Sequence, residues 1–162
     1  MAQNKHLHLY KKWDMIVPKK KNERSNTANT INKENANNTD DEGRTQLHVA
    51  AEENSIDDAK ILIKNGANIE AKDKYGITPL HRAALKNRLE TAQLLIENNA
   101  NIEAKNKFGR TPLHKAAFCD HFEVAKLLIE NGANIEAKDQ YERTPLALAK
   151  DKKCVKLISL LK

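Results

Sequence analysis

Three of the six histidines, His48, His81 and His114, recur at steps of 33 residues and could bind a metal or transfer protons. Zinc ligands must all lie about 2.1 Å from one ion. A regular step of 33 residues places the three histidines on separate, neighbouring structural units, and neighbouring packed helices lie about 8–10 Å apart. This spacing opposes a shared metal centre at these histidines. The sequence predicts no metal and no cofactor.

A second candidate for chemistry is Cys119, which Asp120 and His121 follow directly. A neighbouring imidazolium can activate a thiolate. However, adjacent side chains at a turn do not generally converge, and the sequence has none of the common phosphate-binding or nucleophile motifs of enzymes. We therefore expect no catalytic residues and no enzyme activity. The presence of only two cysteines favours a reducing compartment.

The net charge of +6 raises the question of nucleic-acid binding. Residues 1–40 have a charge balance of +4, whereas residues 41–162 have only +2. The larger, nearly neutral part offers phosphates little attraction, so we expect no nucleic-acid partner. No apolar run approaches the roughly 18 residues of a membrane span, and the N-terminal residues lack the apolar stretch of a signal peptide. We therefore predict no transmembrane span.

An internal repeat organises most of the chain. The string TQLH begins at Thr45, TPLH begins at Thr78 and Thr111, and TPLA begins at Thr144, each 33 residues after the one before. Residues 73–105 and 106–138 are identical at 21 of 33 positions. Repeats of this period are typical of solenoids, in which each unit buries its apolar face only against its neighbours.

The local sequence of one repeat predicts two short helices and a turn. Thr78 is a good N-cap and Pro79 suits the first position of a helix. Asn87 tolerates a positive φ and should end this first helix. A second helix is predicted over about 89–98. The segment 74–76, just before Thr78 and Pro79, is predicted to form a projecting turn.

With its 33-residue step, TPLHxAA and GANI, the sequence resembles the ankyrin-repeat family over about residues 40–162. The resemblance implies an all-α solenoid of stacked helix-turn-helix units with projecting turns. The expected repeats are 40–72, 73–105, 106–138 and a truncated cap at 139–162. Departures from the pattern fall mainly at the ends, at Gln46, Glu142, Ala147 and Lys153.

The first 39 residues differ from the rest. This basic, asparagine-rich leader is predicted to be mostly disordered, with a short helix near 7–17 that carries Leu9, Trp13 and Ile16 at helical spacing. This helix could dock on the first repeat. In an alternative function, the leader is the active part and targets an anionic membrane surface or an acidic partner.

The ankyrin resemblance implies a non-catalytic module that binds another protein on its concave and fingertip surface. Aromatic and arginine side chains are typical anchors of protein interfaces. Alternatively, the fingertip rings pack on one another as a ladder. We expect a monomer and a cytoplasmic location by default, with export to a host cell as an alternative. The predicted protein-binding residues are Tyr75, Ile77, Leu85, Phe108, Arg110, Phe118, Tyr141 and Arg143.

Overall fold

The computed structural model describes residues 31–162, and these form an all-α solenoid. The predicted disorder of residues 1–30 and the predicted helix near 7–17 lie outside the described residues. Within residues 31–162 the only β-pairing is an isolated bridge between Thr39 and Thr45. The eight helices of this part are α1 Gln46–Glu53, α2 Ile56–Lys64, α3 Pro79–Leu85, α4 Leu89–Glu97, α5 Pro112–Phe118, α6 Phe122–Glu130, α7 Pro145–Asp151 and α8 Val155–Leu160.

The helices form two rows. The first helices of the repeats, α1, α3, α5 and α7, contact one another in chain order, and so do the second helices, α2, α4, α6 and α8. Alanines at one repeated position, Ala51, Ala84 and Ala117, are fully buried, because small side chains let neighbouring helices approach closely. The core is therefore continuous along the stack, as a solenoid requires.

The ends of the helices follow the local sequence. Thr78 has extended backbone angles, its hydroxyl accepts a hydrogen bond from the backbone N–H of His81 at 3.4 Å, and Pro79 begins α3. Asn87 has a φ of 56°, which confirms that it ends the first helix of this repeat in the left-handed region. The second helices are followed by the left-handed residues Gly66, Asn99 and Gly132.

The ordered array begins before the boundary that the sequence predicts at residue 40. Ala36 is fully buried, and the side chain of Asn37 donates to the carbonyl of Gly66 (3.1 Å) and accepts from the N–H of Asn68 (2.6 Å). Glu70 accepts from the N–H of Asn101 in the same way. Residues 31–39 were predicted to be part of a disordered leader. They are ordered because they need only complete one edge of the first repeat, not build a core.

At the other end, the short helix α8 packs on the array through Leu157 and Leu161, which are almost fully buried, whereas Val155 is 75% exposed. Lys153 occupies the position that Asn87 has in an earlier repeat, with a φ of 59°. None of the helices in residues 31–162 is long and apolar enough to cross a membrane.

Candidate protein-binding surface

The turns that project from the repeats, here called fingers, comprise residues 40–44, 73–77, 106–110 and 139–143. Each finger is closed by a backbone hydrogen bond from its first residue to its last, with an N–O distance of 3.0 Å in all four. In the second finger, the carboxylate of Asp73 also accepts from the N–H groups of Tyr75 (2.8 Å) and Ile77 (2.9 Å). A short acceptor side chain at the first position therefore fixes the shape of the finger.

Neighbouring fingers are joined through their backbones. The N–H of Lys107 donates to the carbonyl of Tyr75 (3.0 Å), and the N–H of Gln140 donates to that of Phe108 (3.0 Å). Gly109 has a φ of 71°, and a Cβ at this position would lie 2.9 Å from the nitrogen of Gln140. Glycine is thus required here both by its backbone angles and by the approach of the next finger. These bonds make the row of fingers one rigid unit.

The repeated histidines connect each repeat to the next. The Nδ1 atom of His81 accepts from the N–H of Thr78 (3.3 Å), and its Nε2–H donates to the carbonyl of Arg110 in the next finger (2.9 Å). His48 and His114 make the equivalent bonds to the carbonyls of Ile77 and Arg143. Their ring nitrogens are therefore used for structure. Residues 31–162 contain no group of three or more side chains placed to hold a metal ion.

These histidines are held in the neutral form. Burial lowers the pKa of His81 to about 4, although the bond to the carbonyl of Arg110 acts in the opposite direction. Burial also lowers the pKa of His48 and of His114. A protonated Nδ1 could no longer accept the hydrogen bond from the threonine N–H, so the neutral form suits the fold.

The aromatic residues of the fingers differ in exposure. Tyr141 is 45% exposed, whereas Tyr75 and Phe108 are half-buried. A cation lies near two of the rings: the ammonium of Lys74 is 5.4 Å from the centre of the Tyr75 ring, and the guanidinium of Arg143 is 5.1 Å from that of Tyr141. These are cation–π distances, which combine an apolar face with a positive charge.

Two further predicted residues lie at the ends of first helices, Leu85 on α3 and Phe118 on α5, and both are half-buried. The ring of Phe118 has the guanidinium of Arg110 at 5.9 Å and the ammonium of Lys152 at 4.3 Å from its centre. Two cations therefore lie close to the ring of Phe118, and one of them, Lys152, comes from the last repeat.

Two of the predicted residues are not at exposed fingertips. Ile77 is 8% exposed and Arg110 is 4% exposed, so neither side chain lies on the exposed fingertip surface for which partner binding was predicted. The residue at this position ends the finger and lies against the next repeat. The guanidinium of Arg110 accordingly reaches the carboxylate of Asp139 in the following finger, at 3.3 Å. Arg143, at the same position of the last finger, also donates to Asp139, at 2.7 Å, and stays partly exposed.

Sequence reasoning missed a charge network at the bases of the fingers. The guanidinium of Arg82, on α3, donates to Asp73 (2.7 Å) and lies 3.7 Å from Glu52 of the previous repeat, which also pairs with Lys86 (3.3 Å). The sequence holds two signals for this network: an acidic residue at the first position of three of the four fingers, Asp40, Asp73 and Asp139, and a basic residue directly after His81 and His114. Arg82 is 9% exposed, so its partners are structural.

The last finger carries the same kind of network. Burial acts to raise the pKa of Asp139, but the hydrogen bonds and charge of Arg143 outweigh it and hold that pKa below its ordinary value. Asp139 is thus ionised at neutral pH and neutralises two arginines from two fingers.

A stack of helix pairs joined by rigid fingers defines a repeat-protein scaffold of the α-solenoid class. The family model for ankyrin repeats (many copies) matches residues 47–96 and 80–129, which together cover just over half of the chain. The chain therefore belongs to the ankyrin-repeat family. No curated protein matches it. Ankyrin repeats are generally protein–protein interaction modules, and the family is typically non-catalytic.

Proposed function

We propose that the chain binds a partner protein on the surface formed by three fingers and the adjoining ends of two first helices, with Tyr75, Leu85, Phe108, Phe118 and Tyr141 as its apolar contacts. One observation carries the proposal: an aromatic residue stands in each of three successive fingers, and their backbones are hydrogen-bonded to one another. Ile77 and Arg110 are left out of this surface because they are buried.

Rigidity is what makes such a surface effective. Association costs the ordering of loops and side chains at the interface, and only the surplus interaction appears as affinity. The fingers are already fixed by bonds such as that from Lys107 to Tyr75, so a partner that contacts several of them orders little additional backbone. Contacts in separate repeats can then contribute together.

The charges around the rings indicate the kind of partner group that fits. Lys152 is exposed and lies 4.3 Å from the centre of the Phe118 ring, and Arg143 lies over Tyr141 in a similar way. An apolar face beside a cation suits a partner segment that carries apolar and acidic residues close together. Charge-assisted hydrogen bonds at such an edge would add to the apolar contacts.

The test is a substitution of both phenylalanines, Phe108→Ala and Phe118→Ala, in the full chain. A partner is first captured by affinity purification, and its dissociation constant is then measured by calorimetry. We expect affinity to fall at least about tenfold, which corresponds to roughly 1.4 kcal/mol. The matched control is Val155→Ala, a change at an exposed apolar residue on the row of second helices.

Circular dichroism must show that the double variant keeps the helical content and the unfolding midpoint of the control. An unchanged affinity in a folded double variant would refute the assignment of these two anchors. The alternative function, in which the leader targets a membrane or an acidic partner, concerns residues outside 31–162. Co-sedimentation of the full chain with anionic and with neutral vesicles distinguishes it from the function proposed here.

A further inference from the structure

A groove of about 360 Å³ lies between α2 and α4, on the row of second helices. It is separate from the fingers and is not used by the proposed partner surface. Its apolar lining comes from Ile56 at the start of α2 and from Leu89 and Leu94 on α4. Leu89 is 37% exposed, which is unusual for a leucine in this array. A groove lined by apolar side chains and open to solvent can receive the apolar face of an amphipathic helix.

The groove also carries uncompensated negative charge. Glu90 accepts from the amide of Asn54 (3.1 Å) and Glu97 accepts from the amide of Gln93 (2.8 Å), and both donors are neutral. Neither glutamate forms an ion pair within residues 31–162. Lys60 is the one cation of the lining. A matching occupant would therefore be apolar on one face and basic beside it.

The next repeat shows that this combination is not general. There Phe122 takes the position of Leu89, and Glu130, the counterpart of Glu97, has Lys126 3.7 Å away. Lys126 itself replaces Gln93. The larger ring and the added cation change both the shape and the charge at the same place one repeat later.

We propose that the groove between α2 and α4 holds residues 7–17 of the same chain as an amphipathic helix. Leu9, Trp13 and Ile16 fall on one stripe at helical spacing. Within this segment Lys11 and Lys12 outnumber Asp14, and four more lysines flank it, so the charge of the segment with its flanks is opposite to that of the groove. The flanking lysines are Lys5, Lys19, Lys20 and Lys21. Apolar side chains at this spacing are how an amphipathic helix binds a groove.

The connection allows this placement. Asn37 is bonded to Gly66 and Asn68, so the chain enters the array beside the C-terminal end of α2. A stretch of thirteen residues, the length of 18–30, can reach at most roughly 45 Å. The length of α2, about 13 Å, separates its two ends. The groove therefore lies within reach of residue 17.

The lengths of the two partners also correspond. An eleven-residue helix over 7–17 is about 16 Å long, and the nine residues of α4 cover about 14 Å. The apolar stripe from Leu9 to Ile16 can then run alongside α4, with the lysines near Glu90 and Glu97. A segment held in this way would cover Leu89 in the free protein.

Trp13 is the only tryptophan of the chain, so its fluorescence reports on the proposed contact without a label. In the full chain we expect an emission maximum at shorter wavelength, and weaker quenching by acrylamide, than in a peptide of residues 1–30. Both properties should be independent of protein concentration. Identical emission and quenching in the chain and the peptide would overturn the proposal.

A matched pair of substitutions locates the contact. Leu89→Asp places a charge in the groove, and Val155→Asp makes the same change at the first residue of another second helix. Aspartate is favourable in the first turn of a helix, so both variants should fold, and circular dichroism checks this. Leu89→Asp should shift Trp13 emission to longer wavelength and restore quenching, whereas Val155→Asp should leave both unchanged. Equal effects of the two variants would contradict the proposal.

The charge of the groove is tested with a second pair. Reversal of Glu90 and Glu97 to lysine should expose Trp13, whereas reversal of Glu123 and Glu130, their counterparts one repeat later, should not. Two results would show that the segment binds something other than the groove of its own chain. Loss of the Trp13 shift on dilution indicates a second copy of the chain, and a shift that appears only with anionic vesicles indicates a membrane. Either result overturns the intramolecular contact.

Discussion

The two central repeats, 73–105 and 106–138, share most of their residues and the same backbone, yet they arrange charge differently. In the first, the finger begins with Asp73, which binds Arg82 of the same repeat at 2.7 Å. In the second, the finger begins with Asn106, and the acid that binds Arg110 is Asp139 of the following finger. Each repeat thus has a buried acid–base contact, but the position of the cation and the repeat that supplies the acid both differ.

The asparagine at the start of the finger 106–110 leaves one buried polar atom without a hydrogen-bond partner. The Oδ1 atom of Asn106 accepts from the N–H groups of Phe108 and Arg110, as the carboxylate of Asp73 does in its own finger. Its Nδ2 atom, however, is buried and has no hydrogen-bond partner. The shape of the finger therefore needs only an acceptor, whereas the second oxygen of an aspartate contributes the pairing with a cation.

The largest expected effect is that of a change at Asp139, the acid that pairs with Arg110. Asp139→Asn keeps the acceptor that shapes the finger and removes the charge that Arg110 and Arg143 share. We expect the free energy of unfolding to fall by about 3–5 kcal/mol, because the buried guanidinium of Arg110 loses the carboxylate of Asp139 that lies 3.3 Å from it. Urea denaturation measures this.

The control for that change is Asp73→Asn. Arg82 keeps a second carboxylate, Glu52, at 3.7 Å, so the loss should be smaller, about 1.5–3 kcal/mol. Equal losses for the two variants would show that the second carboxylate does not compensate.

The histidine that joins the two repeats predicts a dependence on pH. The pKa of His81 is lowered to about 4 in the folded chain, against 6.5 without burial, so the unfolded chain binds the proton more tightly. Stability from this residue is fully present above pH 6.5 and is lost as the pH falls toward 4, by about 3 kcal/mol in all. Urea denaturation at several pH values gives the slope, and His81→Gln should flatten it. A slope that persists in this variant would assign it to other groups.

Because neighbouring fingers are in close contact at Gly109, we expect Gly109→Ala to lower the free energy of unfolding by about 2–3 kcal/mol. The new Cβ would meet the nitrogen of Gln140 at 2.9 Å, in addition to the strain of a positive φ. Gly132→Ala is the control, since Gly132 also has a positive φ but open space around it. Its cost should be about 1 kcal/mol, the strain alone. Thermal unfolding compares the two, and equal costs would mean that the fingers can separate without penalty.

The smallest expected effect is that of a substitution that gives the finger 106–110 the same first residue as the finger 73–77. Asn106→Asp replaces the unpartnered amide nitrogen with an oxygen that can pair with Lys115, the counterpart of Arg82. We expect a gain in stability of about 1 kcal/mol, measured by urea denaturation. A loss would show that the positive surroundings of Asn106 are already neutralised by other contacts.

Much of the architecture could be predicted from the sequence. The Thr-Pro start of α3 and the left-handed Asn87 that follows its end depend on interactions within one or two turns of chain, and the structure confirms both. The period of 33 residues was visible as repeated strings in the sequence. The order of residues 31–39 could not be predicted in this way, because Ala36 and Asn37 become ordered through contacts with the loop after α2, about thirty residues away.

For the candidate surface, too, the sequence predicted what depends on one repeat and failed where the next repeat is involved. The sequence identified the aromatic residue in three of the four fingers and the position of Phe118, but its predicted binding residues also included Ile77 and Arg110, which are buried. Their burial depends on the next repeat, whose Asp139 attracts the guanidinium of Arg110. Neither this pairing nor the groove at Leu89 leaves a local pattern in the chain.

The sequence alone determined the helices, their caps and the stacking of repeats, because these follow from backbone preferences and apolar spacing within each unit. Only the tertiary structure decided which charged side chains are neutralised and which face solvent. The reason is that a charge enters the interior only beside an opposite charge, and in this chain that partner often belongs to the neighbouring repeat.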